Sequence, residues 1–308
     1  MSHYTVVHWL IFFYIYCFLG WCFESAFVSI KSRKLVNRGF MRGPFLPLYG
    51  CGAMMMYVVS LPFQSNIILT YIAGVIGATA LEYITGVLME TLFKVRYWDY
   101  SSKPFNFQGQ ICLGSSIAWG FLTILMTRVI HKPIERAVMS IPMNVLSYVT
   151  IAVTIYMVAD FTLSFKAALD LRDIMVKMEK VKEEMVRMQR RLDVIVAFNN
   201  EEKEQKRQER EVRVGELAAS LEQRFASLKE SIQNKPSAYG ENVREEIAEL
   251  RAKYNLYMEN RSHYKDMLGF YKRDMIRNNP TMASRRFKDA LEELKNAVSN
   301  RKDSKDPK

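Results

Sequence analysis

The chain reads as an all-α protein: a polytopic membrane bundle of about five transmembrane helices, then a long cytoplasmic helical, coiled-coil tail. Three observations carry that reading. Residues 1–165 are apolar runs separated by short polar loops, and runs of ~20 apolar residues suffice to cross a bilayer core. Residues 166–308 turn to Lys, Arg, Glu and Gln. Within them Leu171, Ile174, Met178, Val181, Met185, Met188, Leu192 and Ile195 alternate by three and four, a seam of about four heptads. Two domains follow, 1–165 and 166–308. The mean hydropathy of −0.08 describes neither.

The first span opens with an uncharged stretch, Met1 to Phe23. It has no basic n-region and no small-residue cleavage site, so it reads as a retained helix rather than a signal peptide. Glu24 lies near its basic end. The loop that follows carries Lys31, Arg33, Lys34, Arg38 and Arg42, and the positive-inside rule puts it in the cytoplasm. Pro44, Pro47, Gly50 and Gly52 then disturb the start of a second span, Pro44 to Phe63. Irregular backbone at membrane depth is tolerated only against protein or a wet cavity.

Ile67 to Phe93 is the third span. Gly74, Gly77, Ala78 and Gly86 give it a close-packing face. Glu82, Gly86 and Glu90 follow at steps of four and share one side. Glu82 lies eleven residues before Phe93, roughly 16 Å along the helix. Carboxylates inside a span are expensive and face protein or water rather than acyl chains. The loop 94–110 is rich in Trp, Tyr, Phe and Asn. Ile111 to Thr127 forms the fourth span, marked by Ser115, Ser116 and Trp119. A loop is expected over 128–142, and Met143 to Phe165 makes the fifth span, with Asp160 near its end. This topology places the N-terminus outside and the tail inside. The 31–43 and 94–110 loops together hold eight basic residues, which outweighs the basic 128–142 loop on the outer side.

Residues 1–165 hold 11 Lys and Arg against 6 Asp and Glu, net +5; the remainder holds 32 against 26, net +6. A basic balance beside a membrane suits anionic headgroups of the lipid bilayer. Nucleic acid is not implied, since the tail's charges are mixed in sign and no binding motif appears. Cys17, Cys22, Cys51 and Cys112 form no CxxC and read as membrane-core thiols. The four histidines are scattered, so no zinc spacing arises, and neither a metal nor a cofactor is expected.

In the tail, Asn199-Asn200 and a charged block follow the seam. A weaker apolar series through Val214 and Ile232 follows, then a breaker at 235–240. A second seam runs from Val243 to Met275 and suits an antiparallel hairpin. Asn278-Asn279-Pro280 breaks it, Phe287, Leu291 and Leu294 mark a short amphipathic helix, and the last eight residues read as disordered.

NRGF and GPFLPLYG within residues 37–50, EYITGVLME at 82–90 and RYWDYSSKPFNFQGQICLGSSIAWG at 96–120 resemble the type IV ABC-transporter permease family, CmpB-like bacterial multi-pass proteins, over about residues 5–165. The resemblance implies a permease-like membrane protein. No GxxxxGK[ST] phosphate loop occurs in the chain, so ATP coupling needs a separate subunit.

These readings converge on a transport component with a cytoplasm-facing polar cavity. Its candidate residues are Glu24, Glu82, Glu90 and Asp160 on helices, and Arg38, Arg42, Arg96, Trp98, Asp99, Tyr100 and Asn106 on the loops at the same face. Glu82 is expected at the floor, with an Arg from either loop supplying positive charge. The tail is expected to self-associate or to dock a separate ATPase or other cytoplasmic protein. Two other classes stay open: a membrane enzyme acting on a lipid-linked substrate, for which no nucleophile–base pair can be assigned, and a non-catalytic envelope scaffold.

Overall fold

The computed structural model describes residues 4–199, 214–234 and 240–303. It is about 80 % helical and divides into two compact units, Met1–Arg172 with Phe270–Arg286, and Asp173–Gly269 with Phe287–Lys308. The charged block at 200–213 and the breaker at 235–239 lie outside the described residues.

In the first unit, α1 (Val6–Ser32) begins at Thr5, whose Oγ1 lies 2.7 Å from His8 Nδ1, and ends at Arg33 in the left-handed region. Then come α2 (Pro47–Ser60), α3 (Ile67–Phe93), α4 (Leu113–Leu125), α5 (His131–Met139) and α6 (Met143–Asn199). Asn66 starts α3 by accepting from the backbone N–H groups of Ile68 (3.0 Å) and Leu69 (3.2 Å), satisfying donors that a helix start otherwise leaves open. Gly74 lets α3 approach α4, where a Cβ would run into Thr123.

Among the described residues, four helices are long and apolar enough to cross a membrane: Val6–Ser32, Ile67–Phe93, Leu113–Met139 and Met143–Ile195. Where five spans are expected, the second apolar helix is shorter, Pro47–Phe63 including a 3-10 turn at Leu61–Phe63. Its ends nonetheless reach both ends of the bundle. Tyr49 Oη donates to Glu24 (2.7 Å) at one, and Tyr57 Oη lies 3.3 Å from Tyr4 Oη at the other. That second end also holds the buried His131, with Tyr16 Oη 2.6 Å from Nδ1 and the Tyr57 ring 4.0 Å away, while Glu135 accepts from Tyr4.

The loop expected over 128–142 is largely helical. A π turn at Met126–Ile130 joins α4 to α5 without a break. Pro133 removes a backbone donor. The wider turn just before it is the usual accommodation for such a disturbance in a continuous helix, which is why a proline alone did not mark an end.

In the second unit, the α6 seam from Val181 to Ile195 packs with Leu217, Leu221, Phe225 and Leu228 of α7 (Val214–Asn234) and with Ile247 and Tyr254 of α8 (Glu241–Asp266). Contacts of Lys177 with Tyr264 and of Arg191 with Glu246 set α8 antiparallel to α6. Tyr254 with Ala218 and Arg251 with Glu222 set it antiparallel to α7. The second seam is interrupted near Gly269, so that Phe270–Asn278 forms a separate α9 in the first unit. The last helix, α10 (Lys288–Asp303), extends into the stretch expected to be disordered; 304–308 lie outside the described residues.

Candidate functional site

Helix α3 presents Glu82, Gly86 and Glu90 on its buried side. Glu82 is 6 % exposed. Its Oε1 accepts from Tyr100 Oη (3.1 Å), and its Oε2 from Trp119 Nε1 (2.9 Å) and Ser115 Oγ (3.3 Å). All three donors are neutral, one from the loop and two from α4 one turn apart. The expected arginine goes elsewhere. Arg96 Nη2 pairs with Glu90 (2.7 Å) and Nη1 with Asp99 (3.4 Å). Arg96 leaves α3 just beyond Glu90, and Glu82 lies two more turns back, roughly 12 Å along the axis, beyond an arginine already held at Glu90.

The loop after Lys94 folds back along α3. Tyr83 Oη donates to Gln108 Oε1 (3.2 Å), Gln110 Nε2 to Glu90 (2.5 Å), and Trp98 Nε1 to the Gln110 carbonyl (2.9 Å). Trp98 and Gln110 lie over Gly86, where a Cβ would approach Trp98 Cζ2 to 3.2 Å and Gln110 Cδ to 3.1 Å. A short hairpin, β1 (Asn106–Phe107) with β2 (Ile111–Cys112), ends the loop. Phe105, Gln108 and Gly109 all have positive φ. Asn106 supports this bend by donating to the Lys103 carbonyl (2.8 Å) and accepting from Gly109 N–H (3.1 Å). It is exposed and braces the hairpin instead of joining the carboxylates.

A second cluster gathers around Arg38, whose Nε lies 3.5 Å from Glu24. Arg38 Nη1 donates to Asn279 Oδ1 (2.8 Å), and Nη2 to the Tyr97 carbonyl and Thr281 Oγ1 (both 3.0 Å). Asn279 is 1 % exposed and donates to the carbonyls of Gly39 and Met275, each 2.9 Å. Around it, residues 270–286 bind the two loops. Arg96 and Ala283 exchange both backbone hydrogen bonds (2.7 and 2.9 Å), and Ser284 Oγ donates to the Lys94 carbonyl (2.6 Å). Arg42 pairs with Asp274 (3.3 Å) and lies over the Phe270 ring. Asp160 accepts from Gly43 N–H (2.8 Å), fixing the loop to α6 at a separate point.

Electrostatics in the loop follow from these partners. Hydrogen bonding to Glu90 outweighs burial and keeps the Arg96 guanidinium charged. Burial opposes ionisation of Asp99, but the Ser101 hydroxyl and amide, with Arg96 and Arg285, hold its carboxyl below the usual range. Burial, then the charge of Glu82, pushes the Tyr100 phenol up, so Tyr100 acts as a donor. Among the described residues no group of three or more His, Cys, Asp and Glu could hold a metal ion.

Residues 11–165 match the family described as Putative ABC-transporter type IV. The chain belongs to that family. It is a multi-pass membrane protein, and its family and apolar helices fit a membrane transport component. No curated protein and no solved structure matches the chain. The type IV ABC-transporter match spans every candidate residue from Glu24 to Asp160 and stops short of Asn279 and its neighbours.

Tyr49, Gln110, Ser115, Trp119, Asn279 and Thr281 are contributors that sequence reasoning left out of its candidates. Ser115 and Trp119 had a signal: they lie four apart in an apolar helix, and a buried indole N–H usually finds an acceptor. Asn279 had none, because Asn-Asn-Pro reads first as a helix stop.

Proposed function

We propose that the protein is the permease-like subunit of a membrane transport system, with a cytoplasm-facing polar site built on Glu82, and with ATP coupling supplied by a separate subunit. The observation that carries this is the state of Glu82: a carboxylate inside a spanning helix, bound by three neutral donors and, among the described residues, by no ion pair. A carboxylate locked to arginine is neutralised, whereas one held by hydroxyl and indole groups keeps its charge available to a passing cation or polar group. Tyr100 belongs to a loop, so its hydroxyl is the donor a substrate can displace. The basic 31–43 loop orients this site to the cytoplasm, the N-terminus outside and the tail inside. The 166–308 tail then serves as a coiled-coil arm for self-association or for docking the ATPase or another cytoplasmic protein.

Glu82→Gln tests the site. Glutamine can accept from Trp119 and Ser115 through its oxygen and donate to Tyr100 through its nitrogen, so packing is kept and only charge is lost. The expected result is near-normal membrane abundance with failure to complement a deletion strain. Full complementation, or loss only through disappearance from the membrane, rejects this role for Glu82.

A further inference from the structure

Tyr100 donates to Glu82 (3.1 Å), and residues of the tail hold the chain on both sides of it. Before Tyr100, Ala283 and Arg96 form an antiparallel pair that exchanges both backbone hydrogen bonds (2.7 and 2.9 Å). Ser284 Oγ donates to the Lys94 carbonyl (2.6 Å) and Thr281 Oγ1 to that of Tyr97 (3.4 Å). After Tyr100, Arg285 Nη2 donates to Ser101 Oγ (3.1 Å) and to the Gln108 carbonyl (3.2 Å). The Arg285 charge also acts on Asp99, whose Oδ1 accepts from Ser101 Oγ (2.6 Å).

The two attachments differ in kind. Asn279, Met282 and Ser284 are buried, so the segment is firmly seated before it reaches Arg285. Arg285 itself is exposed, where water competes for its hydrogen bonds and their net contribution is small. Past Arg286 the chain runs into Phe287, which belongs to the second unit, as does Gly269 at the segment's other end. Of the three donors to Glu82, Ser115 and Trp119 are fixed by α4, whereas Tyr100 is placed by the loop that this segment grips.

We infer that Thr281, Ala283 and Arg285 are positioning residues that hold Tyr100 on Glu82, so that the seated segment keeps the carboxylate covered and its release uncovers it. A stretch of the tail, beyond the end of the family match at residue 165, thereby regulates the Glu82 site. Its importance for transport rests on the reading of Glu82 given above.

The test treats the full chain in detergent with dicyclohexylcarbodiimide, which modifies carboxyl groups in apolar surroundings, and locates the product by mass spectrometry with fragment spectra that separate Glu82 from Glu90. Glu82 is expected to react slowly in the wild type. Arg285→Gln, and Ala283→Pro, which removes the donor to the Arg96 carbonyl, should each raise its modification several-fold. Arg285→Lys keeps a charge beside Asp99 and should restore most of the protection. Tyr100→Phe removes the donor with the segment in place and should raise modification as far. Residues that act through one another are not additive, so Arg285→Gln should add little on the Tyr100→Phe background. An equal rise in both backgrounds, or no rise with Arg285→Gln and Ala283→Pro, would overturn the positioning role. No rise with Tyr100→Phe would overturn Tyr100 as the cover. Modification is read without transport, so failure here strikes the positioning, whereas full complementation by Glu82→Gln strikes the transport role.

Discussion

Replacing Arg96 with Gln removes the one cation shared by Glu90 and Asp99. Arg96 has a side chain 3 % exposed, against 29 % for Glu90. Removing one partner of a buried pair typically costs about 3–5 kcal/mol, because the other charge is left uncompensated. Glu90 keeps the Gln110 donor and some water, and Asp99 keeps both Ser101 donors, so the lower end applies, about 3 kcal/mol. For a unit of this size that corresponds to a fall of roughly 6–12 °C in the melting temperature. Thermal unfolding of the purified protein in detergent, followed by size-exclusion chromatography, reads it. Adding Glu90→Gln to Arg96→Gln removes the stranded charge and should recover a large part of the loss. A fall within about 2 °C, the scale of an ordinary surface substitution, or a double variant no better than the single one, would refute the reasoning.

Four further outcomes are expected. Gly109→Ala should destabilise the hairpin by at least the ~1–2 kcal/mol of a left-handed alanine: φ is +71° and the new Cβ would lie 2.6 Å from Arg96 Nη1 and 2.7 Å from Asp99 Oδ1. Gly52→Ala, which meets nothing within 4 Å, should be tolerated in the same thermal assay. Asp99 has its carboxyl lowered on folding, so its contribution is present above the unfolded carboxylate range near ~3.9 and is lost as pH falls through the lower folded value. Asp99→Asn should therefore lower the melting temperature at neutral pH and lose that effect in stronger acid. Asn279→Ala leaves Arg38 and the Gly39 carbonyl short of partners and should loosen residues 279–286. Hydrogen–deuterium exchange should then show faster exchange at Ala283, and unchanged protection would count against the docking role of Asn279.

The helical, multi-pass character was legible because long apolar runs carry their own length requirement, and the family showed in the 82–120 motifs. The Glu82–Gly86–Glu90 face was readable from spacing alone. What spacing could not supply was partner choice. Arg96 turns to Glu90 because it leaves the helix one turn away, while Glu82 depends on Ser115 and Trp119, whose importance appears only once α4 lies against α3. Asn106 was attractive as a polar loop residue, yet its bonds close a bend with three positive-φ residues. Asn279, 241 positions from Arg38, was beyond any local pattern. The charged 128–142 stretch read as a loop, yet a π turn at Met126–Ile130 carries the helix on through Met139.

The account rests on a bundle crossed by α2 as well as by the four longer helices, so that the Glu24 and Glu82 end faces the cytoplasm. Cysteine accessibility decides this most directly. In a chain with its four native cysteines replaced, a cysteine is placed at Ser65, in the exposed turn between α2 and α3, or at Arg33, exposed at the end of α1. An impermeant maleimide applied to intact cells should label Ser65→Cys at once and Arg33→Cys only after the membrane is opened. Labelling of Arg33→Cys in intact cells, or the same protection at both positions, would contradict the account.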